Sequence, residues 1–193
     1  MDTGTNKIDL RMSVLIGIIL VTAFSRLIPH MPNFSPLGAM GLFGAAHFQK
    51  RWQAFIIPLA AVWISDIFIN NVVYSDYYPS FTLFYMGFYW QYGSYLLITL
   101  AGIFILKKID IKNLIFASLT STAIFFIVTN FGCWPGNPLY TQDLPGLITC
   151  YAAGIPFLKG TLLSDLFYSG VLFGAFYLLE QKFPQLKIAN AAV

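Results

Sequence analysis

Four charged side chains interrupt the long apolar segments of the chain: Arg26, Asp66, Lys159 and Asp165. A charge in hydrocarbon costs about 2.5–3.5 kcal/mol on insertion scales, so such groups usually face the protein interior and pair. Two cations and two anions allow two neutral pairs, for instance Arg26 with Asp66 and Lys159 with Asp165. Residues six apart on one helix point to different faces, so we expect pairing across helices. Such pairs would tie helices together, contact or gate a solute, or relay protons.

Aromatic and polar residues are concentrated in three segments between the apolar stretches, at residues 29–35, 71–80 and 132–155. Ligand pockets combine apolar or aromatic faces with a few polar groups that fix orientation. We therefore expect a pocket with Asp66 or Asp165 at its floor. Its expected lining is His30, Asn33, Tyr78, Tyr85, Tyr89, Asn130, Trp134 and Tyr140. The alternative is an aromatic belt whose rings point outward to lipid headgroups.

The two cysteines, Cys133 and Cys150, fall in or beside the third of these segments. They could form a disulfide in an oxidising compartment, stay as free buried thiols, or provide a soft ligand to a metal-centred solute. His30 and His47 lie at opposite ends of the second apolar segment, so they cannot share a metal. The sequence has no H-E-x-x-H, G-x-S-x-G, P-loop or C-x-x-C motif. We expect no catalytic centre, no resident metal and no cofactor.

Six apolar segments must position these residues. Their approximate bounds are 12–28, 36–48, 52–70, 81–106, 113–131 and 156–179. The chain is 58% apolar and 10% charged, whereas soluble domains have about 25% charged residues. A hydrocarbon core of about 30 Å requires about 20 helical residues. These features predict an all-α polytopic membrane protein with six transmembrane helices in one bundle and a single domain over residues 1–193.

Proline positions refine the predicted helix bounds. Ser35 before Pro36 is typical of a capped helix start, and Pro156 can open the sixth helix in the same way. Pro58 should kink the third helix, because it removes one backbone donor.

Two local alternatives remain open. The second segment is short and could be a re-entrant half-helix. The N-terminus could be a signal peptide cleaved after Ala23-Phe-Ser25, although the apolar run continues past that point. We expect an uncleaved first helix.

The distribution of basic residues predicts the orientation. Nine of the eleven Lys and Arg residues fall where alternate ends of the segments would meet one side of a membrane: Lys7, Arg11, Lys50, Arg51, Lys107, Lys108, Lys112, Lys182 and Lys187. Lys and Arg accumulate in short cytoplasmic loops. We therefore expect both termini in the cytoplasm, and the aromatic and polar segments outside it. The net charge of +3 favours contact with anionic lipid headgroups, not nucleic acid.

Two strings carry a resemblance to other proteins. The first runs from Arg26-Leu-Ile-Pro-His-Met-Pro-Asn-Phe-Ser-Pro36 through Ala39, Leu42-Phe-Gly44 and Pro58-Leu59 to Ser65-Asp66. The second comprises Thr129-Asn-Phe131, Trp134, Tyr140, Gly146-Leu147, Cys150-Tyr151, Pro156-Phe157 and Asp165. Together they resemble an uncharacterised family of bacterial six-helix membrane proteins classed with transporters.

At the level of architecture the chain is similar to the S component of energy-coupling factor (ECF) transporters. Those proteins are six-helix bundles with cytoplasmic termini, and they bind vitamins or metal ions among loops one, three and five. The resemblance implies vitamin uptake across the bacterial inner membrane. It also implies an ECF-type coupling module as partner, a homo-oligomer being the other possibility. S components dock through an A-x-x-x-A pattern in helix one, whereas residues 13–25 here contain only Ala23.

The sequence thus favours a transport protein that binds a small, vitamin-like or aromatic solute at the outer face. A second hypothesis is a non-transporting accessory or assembly subunit of a membrane complex, held to its partner by charged pairs and small-residue faces. A third is a membrane enzyme that depends on its two thiols.

Overall fold

The computed structural model describes residues 4–78 and 80–187, with side chains from residue 10 onward, so the side chain of Lys7 lies outside the described residues. Within these ranges the chain forms six α-helices and no β-strand. They are α1 (Gly4–Phe24), α2 (Leu37–His47), α3 (Arg51–Phe68), α4 (Phe88–Ile105), α5 (Ile111–Cys133) and α6 (Leu144–Lys182). A single 3₁₀ turn, Ser25–Leu27, extends α1, and a π-helical turn, Ile69–Val73, extends α3. The all-helical prediction is confirmed.

Five of these helices are long and apolar enough to cross a membrane: α1, α3, α4, α5 and α6. The protein is accordingly a multi-pass membrane protein. The exception is α2, which has 11 residues. At 1.5 Å per residue it is about 16 Å long, roughly half the thickness of a hydrocarbon core.

The short helix α2 lies at the centre of the fold and packs against all five others. Every residue from Leu37 to Gly44 is buried. Glycines make this approach possible: a Cβ at Gly41 would lie 3.0 Å from Thr99 Oγ1, and one at Gly44 would lie 2.8 Å from Pro58 Cγ. A helix that is apolar on all sides is expected to be buried on all sides, and α2 has this composition.

An ion pair holds the end of the fold where α1 and the C-terminal segment meet. Arg11 Nη1 lies 2.6 Å from Glu180 Oε1, and the guanidinium also donates to the carbonyl of Leu186. Its carbon lies 5.0 Å from the centre of the Phe176 ring. The prediction that Arg11 is a loop cation ahead of the first helix was wrong. The residue lies inside α1 and is only 7% exposed, because Glu180 neutralises it there.

The predicted start of the sixth helix was also wrong. α6 begins at Leu144, and Pro156 lies inside it. Asp143 caps the helix by accepting a hydrogen bond of 2.9 Å from the Gly146 N–H. The segment assigned to a loop at 132–155 is therefore half helical, and α6 extends over about 58 Å at 1.5 Å per residue.

Two other helix starts differ from the prediction. α4 begins at Phe88 and not at residue 81, because Gly87 has φ +81°, a left-handed conformation outside the helix. Pro36 takes the capping position of α2, and Ser35 does not cap it: the Ser35 hydroxyl is buried without a hydrogen-bond partner.

Candidate functional site

A cavity of about 210 Å³ lies beside the first turn of α2. We call it the inner cavity. Four helices contribute to it, together with the segment between α1 and α2 and the π-helical turn after α3. Its lining residues are Arg26, His30, Asn33, Ser35, Leu37, Gly38, Ile69, Tyr74, Gln91, Tyr95, Ile98, Ser121, Phe125, Thr161 and Asp165.

A second cavity of about 400 Å³, the side cavity, adjoins the first. The two share Asn33, Gln91, Phe125 and Thr161 as wall residues. The rest of the side cavity is formed by Phe126, Thr129, Asn130, Cys133, Tyr140, Cys150, Ala153, Gly154, Phe157 and Leu158. The shared residues place the two cavities next to each other, between α4, α5 and α6.

Part of the predicted lining is present. His30 and Asn33 line the inner cavity, and Asn33, Asn130 and Tyr140 line the side cavity. Asp165 also lines the inner cavity, as expected of one floor carboxylate. The side chain of Asn130 donates to the carbonyl of its own helix at Phe126, 2.8 Å away.

Four predicted residues line neither cavity: Tyr78, Tyr85, Tyr89 and Trp134. Tyr89 is exposed, and the Trp134 ring N–H donates to the Thr141 carbonyl at 2.8 Å. Tyr85 contacts the cavity wall indirectly, because its hydroxyl donates to Oε1 of the wall residue Gln91, 2.6 Å away. Burial, and then the Asp66 carboxylate, raise the pKa of Tyr85, so its hydroxyl keeps its proton at neutral pH. The three tyrosines precede or flank the start of α4, whereas Trp134 follows the end of α5.

Arg26 and Asp66 form the predicted ion pair, with Nη1 and Oδ1 2.6 Å apart. The same Arg26 nitrogen donates to Ser65 Oγ at 2.9 Å, and the Tyr92 hydroxyl donates to the second Asp66 oxygen at 2.9 Å. Both carboxylate oxygens of Asp66 thereby accept a hydrogen bond. Arg26 also borders the inner cavity. The pair connects the end of α1 to α3 and α4.

Lys159 and Asp165 do not pair with each other, as expected for residues six apart on one helix. The cross-helix ion pair expected for Asp165 is absent among the described side chains, and that prediction was wrong. Lys159 is exposed, whereas Asp165 is buried. Six residues turn a helix through about 600°, which places the two side chains on different faces of α6. Asp165 instead lies 2.9 Å from the Thr122 hydroxyl of α5.

Gly38, in the first turn of α2, allows Asp165 to approach that helix. A Cβ at this position would fall on Asp165 Oδ1 and on the Ser121 hydroxyl. Ser121 lies beside the Asp165 carboxyl, but outside hydrogen-bonding geometry. Any side chain at position 38 would displace both groups from the wall of the cavity.

Five wall residues were not predicted from the sequence: Gln91, Tyr95, Ser121, Phe125 and Thr161. They lie inside apolar helices, where a single polar residue is weak evidence for a binding site. A spacing signal was nevertheless present. Polar residues recur at helical intervals along α5 and α6, which predicts one polar face on each helix: Ser118, Ser121 and Thr122, then Thr161, Ser164, Asp165 and Ser169.

Both thiols line the side cavity and both are free. Cys133 is exposed, and Cys150 is buried with its sulfur 3.4 Å from the Asn130 carbonyl oxygen. Within the described ranges, no group of three or more His, Cys, Asp or Glu residues could hold a metal ion.

Residues 6–186 match the model of the family of unknown function DUF6580. Because the match covers most of the chain, the protein belongs to this family. No curated protein and no solved structure matches the chain.

Proposed function

We propose that the protein is a membrane transport protein that binds a small solute in the two adjoining cavities. The observation that carries this proposal is the composition of their walls. Ligand sites combine apolar and aromatic surface with a few convergent polar groups. Here Tyr95 and Phe125 supply the aromatic surface, and Asn33, Gln91 and Thr161 supply hydrogen-bonding groups at the junction.

The backbone around the inner cavity supports the same function. Non-helical backbone at membrane depth is tolerated only against protein or a water-filled cavity. Many transporters bind their solute where a helix is broken near the midplane. The short helix α2 and the non-helical residues 28–36 before it fit this pattern. The Pro32 carbonyl lies against Gly160 of α6, where a Cβ would collide with it. The segment 28–36 therefore packs directly against α6, which forms part of the cavity wall.

The solute we propose is vitamin-like or aromatic and small. The inner and side cavities have volumes of about 210 and 400 Å³, and ligand pockets commonly measure about 300–1,000 Å³. The rings of Tyr95 and Phe125 are nearly parallel, at an interplanar angle of 13°. Tyr74 and Phe157 offer further aromatic surface.

We propose that both termini face the cytoplasm of a bacterium and that the cavities open on the outer side of its inner membrane. In this arrangement all six helices, including α2, contribute to crossings. The basic residues of the 49–50 and 106–110 connections lie on the cytoplasmic side, in agreement with the positive-inside rule. Replacing both native cysteines with Ser and placing a new one at Lys108 tests this. An impermeant maleimide should leave Lys108→Cys unmodified in intact cells. Rapid modification would show that this connection faces outward and would contradict the proposed topology.

A groove between α5 and α6 favours a second candidate role, in which the protein binds a partner protein as an accessory subunit. Its volume is about 420 Å³, it is almost wholly apolar, and Gly170 and Gly174 lie in its floor with open space above them. Small residues let helices approach closely within membranes. The partner would be a coupling module, a second copy of the chain, or a complex that the protein helps to assemble. Stoichiometric recovery of another protein without any bound solute would favour the accessory-subunit role.

Native mass spectrometry of protein extracted gently from membranes tests solute binding. We expect the wild type to retain a small molecule. Thr161→Phe should lose it, because Thr161 lies in the wall shared by both cavities. Leu163→Phe is the matched control, since Leu163 is exposed on the same helix and should retain the molecule. Bare wild-type protein, or equal retention by both variants, would contradict the proposal.

A further inference from the structure

The carboxylate of Asp165 is buried without a cationic partner in the described part of the chain. Its residue is 2% exposed. The ion pairs found among the described side chains join Arg11 to Glu180, Arg26 to Asp66, and Lys108 to Asp110, so none involves Asp165. Removing a carboxylate from water without pairing it is costly. Something other than a protein cation must balance this group.

The charged residues around the inner cavity leave one negative charge unmatched. Arg26 is neutralised by Asp66, at 2.6 Å. The negative charge of Asp165 is therefore the one without a matching cation. His30 also borders the cavity, but it is exposed and its Nδ1 lies 2.6 Å from the Ile28 carbonyl oxygen. Lys159 is exposed on another face of α6.

The hydrogen bonds around Asp165 are compatible with both its ionised and its protonated form. Thr122 Oγ1 lies 2.9 Å from Asp165 Oδ2 and 3.1 Å from the Ser118 carbonyl oxygen. A hydroxyl has one proton, so it cannot donate to both acceptors at once. Asp165 can therefore accept from Thr122 as a carboxylate, or donate to Thr122 as an acid while Thr122 donates to Ser118. The site holds the carboxyl in either state without rearrangement.

The other carboxylate oxygen, Oδ1, packs against the first turn of α2. Asp165 Oδ1 lies against Gly38 and near Ser121, and both of these residues line the inner cavity. Gly38 belongs to the first turn of α2, whose partial positive charge favours an anion close by. Because Gly38 has no side chain, Asp165 approaches α2 closely and still lines the inner cavity.

Aromatic rings around the same cavity favour a positively charged ligand. Tyr74, Tyr95 and Phe125 all line it. The faces of aromatic rings attract cations, more strongly where water is excluded. A group that combines positive charge with apolar surface would satisfy both the rings and Asp165.

We propose that the solute carries a cationic group, such as a protonated amine, that pairs with Asp165 in the inner cavity. Its apolar or aromatic part lies against Tyr95 and Phe125 and extends toward the side cavity. This inference rests on the proposed function and specifies the charge of the solute. The contact is non-covalent: the cation replaces the proton that balances Asp165 when the cavity holds no solute.

The test uses the full-length protein in detergent and a metabolite extract separated at pH 7 into cationic, anionic and neutral fractions. Thermal unfolding is measured while each fraction is titrated. We expect the cationic fraction alone to raise the unfolding temperature of the wild type. Asp165→Asn should need at least about tenfold more of it for half of the effect, which corresponds to about 1.4 kcal/mol. Asp76→Asn, which changes an exposed aspartate, should behave as the wild type.

The outcomes separate the two proposals. If the neutral or anionic fraction stabilises the wild type and the cationic fraction does not, the charge assignment is wrong and solute binding stands. Equal response of Asp165→Asn and wild type to the cationic fraction also overturns the role of Asp165. If no fraction stabilises the wild type, both proposals fail. Should Asp165→Asn not fold, the comparison of fractions on the wild type still decides the charge of the solute.

Discussion

Replacing Asp66 with Ala should destabilise the protein strongly, because three helices meet at this carboxylate. Its two oxygens accept hydrogen bonds from Arg26 and from Tyr92. Among the described residues, removal leaves the guanidinium of Arg26 with the Ser65 hydroxyl, 2.9 Å away, as its hydrogen-bond partner. The side chains of Arg26 and Asp66 are 14% and 6% exposed, so the pair is nearly buried.

Breaking a buried ion pair by removing one partner costs about 3–5 kcal/mol. We expect the lower end, about 3 kcal/mol, because Arg26 borders the inner cavity and can be hydrated there. For a chain of this size each kcal/mol lowers the unfolding temperature by about 2–4 °C. Asp66→Ala should therefore unfold about 6–12 °C below the wild type. The double variant Arg26→Met, Asp66→Leu should recover most of this loss, since an apolar pair of similar volume often replaces a buried ion pair at little cost.

The assay is thermal unfolding of the purified variants in one detergent, completed as a double-mutant cycle in which Arg26→Met and Asp66→Leu are also measured singly. Asp76→Ala serves as the matched control, because this aspartate is exposed. If Asp66→Ala unfolds at the wild-type temperature, the ion pair does not contribute to stability. If the double variant is as unstable as the sum of both single variants, the two residues are not coupled.

Two further predictions concern other parts of the site. In folded protein a maleimide should modify the exposed Cys133 and spare the buried Cys150, as read by intact-mass measurement, and equal modification of both would contradict the described burial. The Thr141 hydroxyl, and then the Gly146 N–H, lower the pKa of Asp143. Its contribution to stability is therefore present above the unfolded pKa of about 3.9 and is lost as the pH falls below it. The protection factor of the Gly146 amide, its exchange rate corrected for the intrinsic dependence on pH, should fall below about pH 4 in the wild type and stay constant over this range in Asp143→Asn.

The number and order of the helices could be predicted because hydropathy and length determine which segments become helical in a membrane. The start of α6 was missed although its local signal exists. Asp143 followed by Pro145 is a typical helix start. The stretch after it contains Gly146, Gly154 and Pro156, which read as a loop when only apolar continuity is considered. All three residues nevertheless lie inside one continuous helix.

The pairing of Arg26 with Asp66 was predicted from charge neutrality between apolar segments. The absence of a cation beside Asp165 among the described residues was not predicted. The environment of Asp165 depends on how closely α2 approaches α5 and α6. That approach is set by the missing side chain of Gly38 and by Thr122, which are details of tertiary packing. The tyrosines before α4 were misplaced for a related reason: composition indicates an aromatic cluster but not the direction of its rings.

An experimental density map of the wild-type protein, taken from its native membrane into lipid nanodiscs, would test solute binding most directly. We predict density for a small non-protein molecule in the inner cavity, within hydrogen-bonding distance of Asp165 and in contact with Tyr95 or Phe125. A lipid chain, or the protein's own side chains, filling the space between α2 and α6 would contradict a solute-binding role.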